Sequence, residues 1–156
     1  VLIAVDFDGT VVDAHGRGYD DVTSGLMFVP GAKAGLASLK AAGHSLLLYS
    51  ARANRALRED AALDPMVRAG VRKVHQKTWD ADKVLNQARY QQMLDFVAKE
   101  LPGVFDAIDD GAQGKPIADL FVDDRGLRLG HGPMAVSWSV VSQIYGEPVF
   151  AGGAKR

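Results

Sequence analysis

The sequence predicts an α/β fold: a Rossmann-like three-layer sandwich in which helices cover both faces of a mostly parallel central sheet. Three observations carry this. The short apolar runs "VLIAV", "HSLLLY" and "IADLFV" show no polar alternation, as strands buried on both faces require. Stretches with apolar residues at helical spacing separate them, so the order is strand, helix, strand. Three apolar runs also stop at polar side chains: Asp6 and Asp8, Ser50, and Asp123 with Asp124.

Taken in order, Val1–Val5 predicts a fully buried strand. The Gly- and Asp-rich stretch that follows, "GTVVDAHGRGYDDVTSGLMFV", reads as a loop or small hairpin. Pro30 suits a first helical position, Leu36 and Leu39 repeat at helical spacing, and Gly43 supplies a stop. "HSLLLY" predicts the second strand, ending at Ser50. Residues 51–83 carry helical patches interrupted by Pro65, with "VRKVHQ" as a further strand. Val84–Leu101 predicts a helix with Leu85, Ala88, Leu94, Val97 and Leu101 near one face, closed by Pro102 and Gly103. "VFDAI" and "IADLFV" read as strands. "SWSVVSQIYG" predicts a last helix with Val140, Val141, Ile144 and Tyr145 at helical spacing and Gly146 as its cap. Residues 1–150 read as a single domain, with 11–29 as a flap or loop and 151–156 as a flexible tail.

Composition narrows the function classes. The chain has 156 residues, 47% apolar and 24% charged, as in an ordinary globular domain with room for a core. A net charge of −1 gives no whole-molecule attraction to nucleic acid or to anionic membrane. The absence of cysteine excludes disulfides and thiolate metal sites and fits a reducing compartment, so a cytoplasmic location is expected. No apolar stretch approaches the roughly 18 residues of a membrane span.

The polar residues at the strand ends pose the functional question. In open α/β sheets, ligands bind beyond the carboxyl ends of the strands. Asp6 and Asp8 are two residues apart, so an extended backbone points both to one side while Phe7 packs into the core. Two close anions repel, and a ligand that relieves the repulsion explains them better than folding does. Gly9 lets the backbone turn close to such a ligand. Asp123 adds a carboxylate from another strand, and all-oxygen ligation of this kind suits Mg²⁺.

"DFDGT" at Asp6–Thr10, Ser50 after "LLLY", Lys115 in "GKP" and "VDDR" at Val122–Arg125 together resemble the four motifs of the haloacid dehalogenase (HAD) superfamily of phosphohydrolases. They occur in the family's order and cover residues 6–125, most of the chain. The resemblance implies that Asp6 is the nucleophile, forming an aspartyl-phosphate, and Asp8 the general acid and then base. It implies Mg²⁺ held by Asp6, the Asp8 backbone carbonyl and Asp123, with Asp124 in the first or second metal shell. Lys115 would stabilise charge, and Ser50 would hydrogen-bond the phosphoryl group in a site that includes Gly9 and Thr10. Arg125 would anchor its loop.

Each residue also has a plainer explanation. Asp6 and Asp8 alone could be turn residues, Ser50 a helix-capping hydroxyl and Lys115 a surface lysine, with Lys77, Lys83 and Lys99 as rivals. Asp109, Asp110 and Gly111 read as a turn. His15, His44, His75 and His131 show no ligand spacing, and Trp79 and Trp138 read as packing residues. Arg52, Arg55 and Arg58 read as a solvated helical face, or Arg52 as a rim residue touching an anionic substrate. Arg17 could reach the site from the first loop.

About 40 residues separate Asp8 from Ser50. After a helix, a strand and their connections, about 20 remain, enough for a hairpin and far below a domain. The expectation is therefore a HAD-like fold with no large cap and an open site, or an oligomer whose neighbour covers the pocket. The expected activity is an Mg²⁺-dependent phosphatase for a small phosphorylated substrate such as a sugar phosphate. Alternatives are a polynucleotide end phosphatase or a nucleotidase; nucleic acid is the less favoured partner because no basic-aromatic groove is visible. A HAD-like phosphoryl-binding module with little turnover is the alternative of a different class.

Overall fold

β1 (Leu2–Asp6) forms from the first apolar run, and Ile3, Ala4 and Val5 are all fully buried. A strand covered on both faces must sit inside a sheet, and it does. The computed structural model, which describes residues 1–13, 16–18, 21–53, 69, 76–111, 116–123 and 138–145, places β1 within a four-stranded, all-parallel sheet. The other strands are β2 (Ser45–Tyr49), β3 (Ala107–Ile108) and β4 (Leu120–Val122), in the order β3-β2-β1-β4. Ala4 pairs with Leu47 on one side and Phe121 on the other. The chain lays down β2 and β3 outward from β1, then returns to the opposite side for β4. That reversal lies between β1 and β4, where open α/β sheets leave a crevice for ligands.

Among the described residues, α1 (Ala32–Ala41), α2 (Gln76–Glu100) and α3 (Trp138–Tyr145) pack with the sheet. α1 buries Leu36 and Leu39, as its spacing predicts. It starts two residues later than Pro30, because Gly31 takes a left-handed φ of 82° and serves as the N-cap. Its end is sharp. Gly43 adopts φ 85°, its N–H bonds the Lys40 carbonyl, and the His44 N–H reaches back to Leu39. That pair of bonds satisfies carbonyls the helix would leave open.

α2 begins eight residues earlier than the predicted helix. Its first turns carry no apolar stripe, so periodicity marks only the part that packs. In that part Met93, Val97 and the following Leu101 are buried, and Phe96 meets Phe7 edge-on at 5.9 Å and Phe28 at 4.9 Å. Of the predicted strand 71–76, residues 71–75 lie outside the described residues and Gln76 opens α2. β3 is shorter than "VFDAI": Asp106 turns its carboxylate onto the Leu46 N–H, and pairing with β2 starts at Ala107. β4 is shorter than "IADLFV": Ile117 is 94% exposed, and Asp119 bonds Leu2 through both its N–H and its carboxylate before pairing begins. α3 buries Trp138 and Val141 and leaves Val140 outward, against the predicted face. Trp138 packs over Gly35, which joins α3 to α1.

One hydrophobic cluster runs from Ile3 to Val141. Among the described residues no helix is long and apolar enough to cross a membrane.

Candidate functional site

The register of the sheet brings the strand ends together. Asp6 closes β1 and pairs with Tyr49, the last residue of β2. Val5 pairs with Val122 of β4, so the next position of the same register sets Asp123 beside Asp6. Neighbouring strands lie about 4.8 Å apart. Two half-buried carboxylates from residues far apart in sequence therefore share one rim of the sheet. The Tyr49 hydroxyl donates a hydrogen bond to Asp123 Oδ2, and the Tyr49 ring stands edge-on to Phe121 at 5.6 Å.

Past β1 the chain turns at once. Phe7 is fully buried, and a side chain of its size contributes about 1.5–3 kcal/mol on burial. Its carbonyl accepts from the N–H groups of both Val11 and Val12. Gly9 takes φ 81°, which suits a residue without Cβ. Thr10 is fully buried. Its carbonyl accepts the Trp138 indole N–H at 2.9 Å, and its Oγ1 has no hydrogen-bond partner among the described residues. Thr10 thus ties the turn to α3 and is shielded from solvent, whereas Asp8 keeps about a third of its side chain exposed.

Ser50 follows β2 and is buried. Its Oγ accepts the Arg52 N–H at 3.2 Å, the capping geometry of a helix start, and residues 51–53 are helical. A hydroxyl that accepts there still has a proton to donate. Arg52 is 6% exposed and does not project as a solvated face. Its Nε and one terminal nitrogen both bond the Asp8 carboxylate at 2.7 Å. Its other terminal nitrogen bonds the Arg89 carbonyl at 2.8 Å and Gln92 Oε1 at 3.1 Å, and its guanidinium carbon lies 5.1 Å from the Phe7 ring centroid.

Beside Asp8 opens a cavity of about 250 Å³, which Arg52 and Arg89 also line. Its far wall comes from Asp13, Arg17, Gly18, Asp21 and Leu26, within the segment expected to be a flap. That segment is a hairpin at its base: Val12 bridges Phe28, Asp13 N–H bonds Met27 and Val29 N–H bonds Val11. Arg17 does reach the cavity, but its guanidinium also holds the carbonyls of Asp21, Ser24 and Gly25. The Asp21 carboxyl is held below its ordinary value, chiefly by the Ser24 N–H it accepts.

Lys115 and Asp124, with Arg55, Arg58 and Arg125, lie outside the described residues, as do His15, His75 and His131. His44 is buried and its Nε2 donates to the Tyr145 carbonyl. Lys99 is exposed beside Glu100. Gly111 has φ 70°, in keeping with a turn after Asp109 and Asp110. Sequence reasoning did not assign roles to Tyr49, Arg89 and Gln92, nor see Arg52 as the partner of Asp8. One signal was available: a carboxylate pair at a strand end needs a cation, and Arg52 stands three residues beyond Tyr49, the end of the neighbouring strand.

Among the described residues no group of three or more His, Cys, Asp or Glu side chains forms a metal cage. Mg²⁺ asks for less, since it takes one or two carboxylates and completes its shell with water and substrate phosphate. The neighbouring Asp6 and Asp123 carboxylates fit that requirement.

No family model matches the chain, and no curated protein matches it. A solved structure, described as a conserved protein coded by a locus from Bacteroides thetaiotaomicron, is similar at 25% identity. The match covers 92% of this chain and 87% of that one with a TM-score of 0.43, and the description names no activity.

Proposed function

We propose that this chain is an Mg²⁺-dependent phosphatase of the HAD type, hydrolysing a small phosphate monoester such as a sugar phosphate through an aspartyl-phosphate. The observation that carries the reading is the register that makes Asp6 and Asp123 neighbours at the carboxyl rim, with Asp8 and Ser50 on the adjoining turns. Asp6 attacks phosphorus in line, and the phosphorus–oxygen bond to the leaving alcohol breaks as Asp8 gives that oxygen its proton. Asp8 then takes a proton from water. The water oxygen bonds phosphorus, the Asp6–phosphorus bond breaks, and phosphate leaves. Ser50 donates its hydroxyl proton to a phosphoryl oxygen. Mg²⁺ would be held by Asp6, Asp123 and the Asp8 carbonyl, with Asp124 nearby, and when bound it offsets the charge that opposes an anion attacking a phosphate. Lys115 would add a second positive charge.

The cavity beside Asp8 supports a small leaving group. At about 250 Å³ it falls below the usual range for ligand pockets, roughly 300–1,000 Å³. The test is a panel of sugar phosphates, nucleotides and 3′-phosphorylated oligonucleotides, assayed for phosphate release with Mg²⁺ and again with EDTA. Release from sugar phosphates, abolished by EDTA and restored by Mg²⁺, is expected. Preference for the oligonucleotides would replace the substrate class. Full activity in chelator would remove the metal. Binding of phosphate without turnover of any ester would favour the interaction module.

A further inference from the structure

Building on the phosphatase reading, we propose that Arg52 is the positioning residue for the Asp8 carboxylate, and that Gln92 ties this lock to the turn at residues 21–25. The contact is a fork: two guanidinium nitrogens meet the two oxygens of Asp8, both at 2.7 Å. Such a pair fixes the plane of the carboxylate as well as its place, which a lysine cannot do. The guanidinium is itself held on its other sides, by the Arg89 carbonyl, Gln92 Oε1 and the Phe7 ring. Four of its five N–H donors are engaged, and its side chain is 5% exposed. Little remains for a substrate anion. That separates positioning from substrate binding as the role of Arg52.

The lock continues outward. Gln92 accepts from Arg52 and donates through Nε2 to the Ser24 carbonyl at 3.3 Å. Ser24 lies in the turn that Asp21 caps and Arg17 holds, and Asp21 and Arg17 both line the cavity. The wall that would meet the leaving group and the residue that would protonate it are therefore joined through two side chains.

The fork uses one lone-pair site on each Asp8 oxygen and leaves others for the travelling proton. Proton transfer needs that oxygen within hydrogen-bond reach of the leaving oxygen, so a loosened Asp8 fails in that step first. Dependence on Asp8 rises with the basicity of the leaving oxygen. A p-nitrophenolate departs without a proton, whereas a primary alkoxide does not.

The experiment compares wild type, Arg52→Lys and Gln92→Met on p-nitrophenyl phosphate and on a primary alkyl phosphate at saturating Mg²⁺. Arg52→Lys should lower kcat/KM, which reports transfer to Asp6 and not the later attack by water that also uses Asp8, by about 100-fold on the alkyl ester, the lower end of what general acid–base catalysis supplies. Its loss of kcat/KM on the nitrophenyl ester should be far smaller. Gln92→Met should show the same pattern, more weakly, and decides the matter if Arg52→Lys does not fold by circular dichroism. Equal losses of kcat/KM on both esters would overturn the proposal while leaving the phosphatase reading intact. A wild type that turns over neither ester overturns that reading and this proposal with it.

Discussion

Gly35 sits inside α1 where helix propensity alone favours alanine by about 1 kcal/mol. The packing says otherwise. A Cβ at Gly35 would lie 2.5 Å from Trp138 Cε3, 3.1 Å from Cδ2 and 3.2 Å from Ser142 Oγ. The indole cannot simply retreat, because it is buried and its N–H bonds the Thr10 carbonyl. Overpacking of this kind costs about 1–3 kcal/mol, and loosening the hydrogen bond adds up to about 1.5 kcal/mol. Set against the propensity gain, Gly35→Ala should destabilise by about 1–2 kcal/mol. Urea unfolding followed by far-ultraviolet circular dichroism reads this as a lower midpoint at unchanged slope. Ala37→Gly, on the exposed side of the same helix, calibrates propensity without the clash. A Gly35→Ala protein more stable than wild type by about 1 kcal/mol, the propensity gain alone, would refute the packing of α3 on α1 and the anchoring of the Thr10 turn.

Two further outcomes follow from the rim and from the opposite end of the sheet. Tyr49→Phe removes the hydroxyl that bonds Asp123, and loss of such a supporting contact lowers metal affinity by about 10–100-fold; Mn²⁺ titration by calorimetry checks this, and unchanged affinity would separate Tyr49 from the metal. Asp106 is held below its ordinary value of 3.8, first by its bond to Lys40 and then by the Leu46 N–H. Its folded value lies below the unfolded one, so its contribution is present above 3.8 and is lost as pH falls through the folded value. Asp106→Asn should therefore lower Tm at neutral pH and converge on wild type in strong acid; parallel Tm profiles at all pH values would contradict this.

The strand core of the fold was legible because burial on both faces writes an unbroken apolar run, as in residues 2–5, and the run 46–49 marks β2, which buries Leu46 and Leu48 and leaves Leu47 and Tyr49 half-buried. The gathering of the strand ends was legible for the same reason: parallel strands share a carboxyl rim, so Asp6, Ser50 and Asp123 emerge on one side. Strand lengths were not legible. Asp106 and Asp119 bond backbone N–H groups with their own carboxylates and delay pairing, a choice that apolar content does not encode. The first turns of α2 lack an apolar stripe, so no periodicity announced them. Arg52 was legible only in part: its row reads as a solvated face or, for Arg52, as a rim residue touching an anion. A row of arginines at helical spacing looks solvated, and only the tertiary fold reveals that this one turns inward to Asp8.

The claim on which the account depends is that Asp6 carries the phosphoryl group. Acid quenching during turnover of an active ester, followed by peptide mass spectrometry, tests it directly. A phosphoryl group on the peptide containing Asp6, absent from Asp6→Asn, which folds but releases no phosphate, is the result expected. Phosphate release with no label on Asp6, or substantial turnover by Asp6→Asn, would contradict the account.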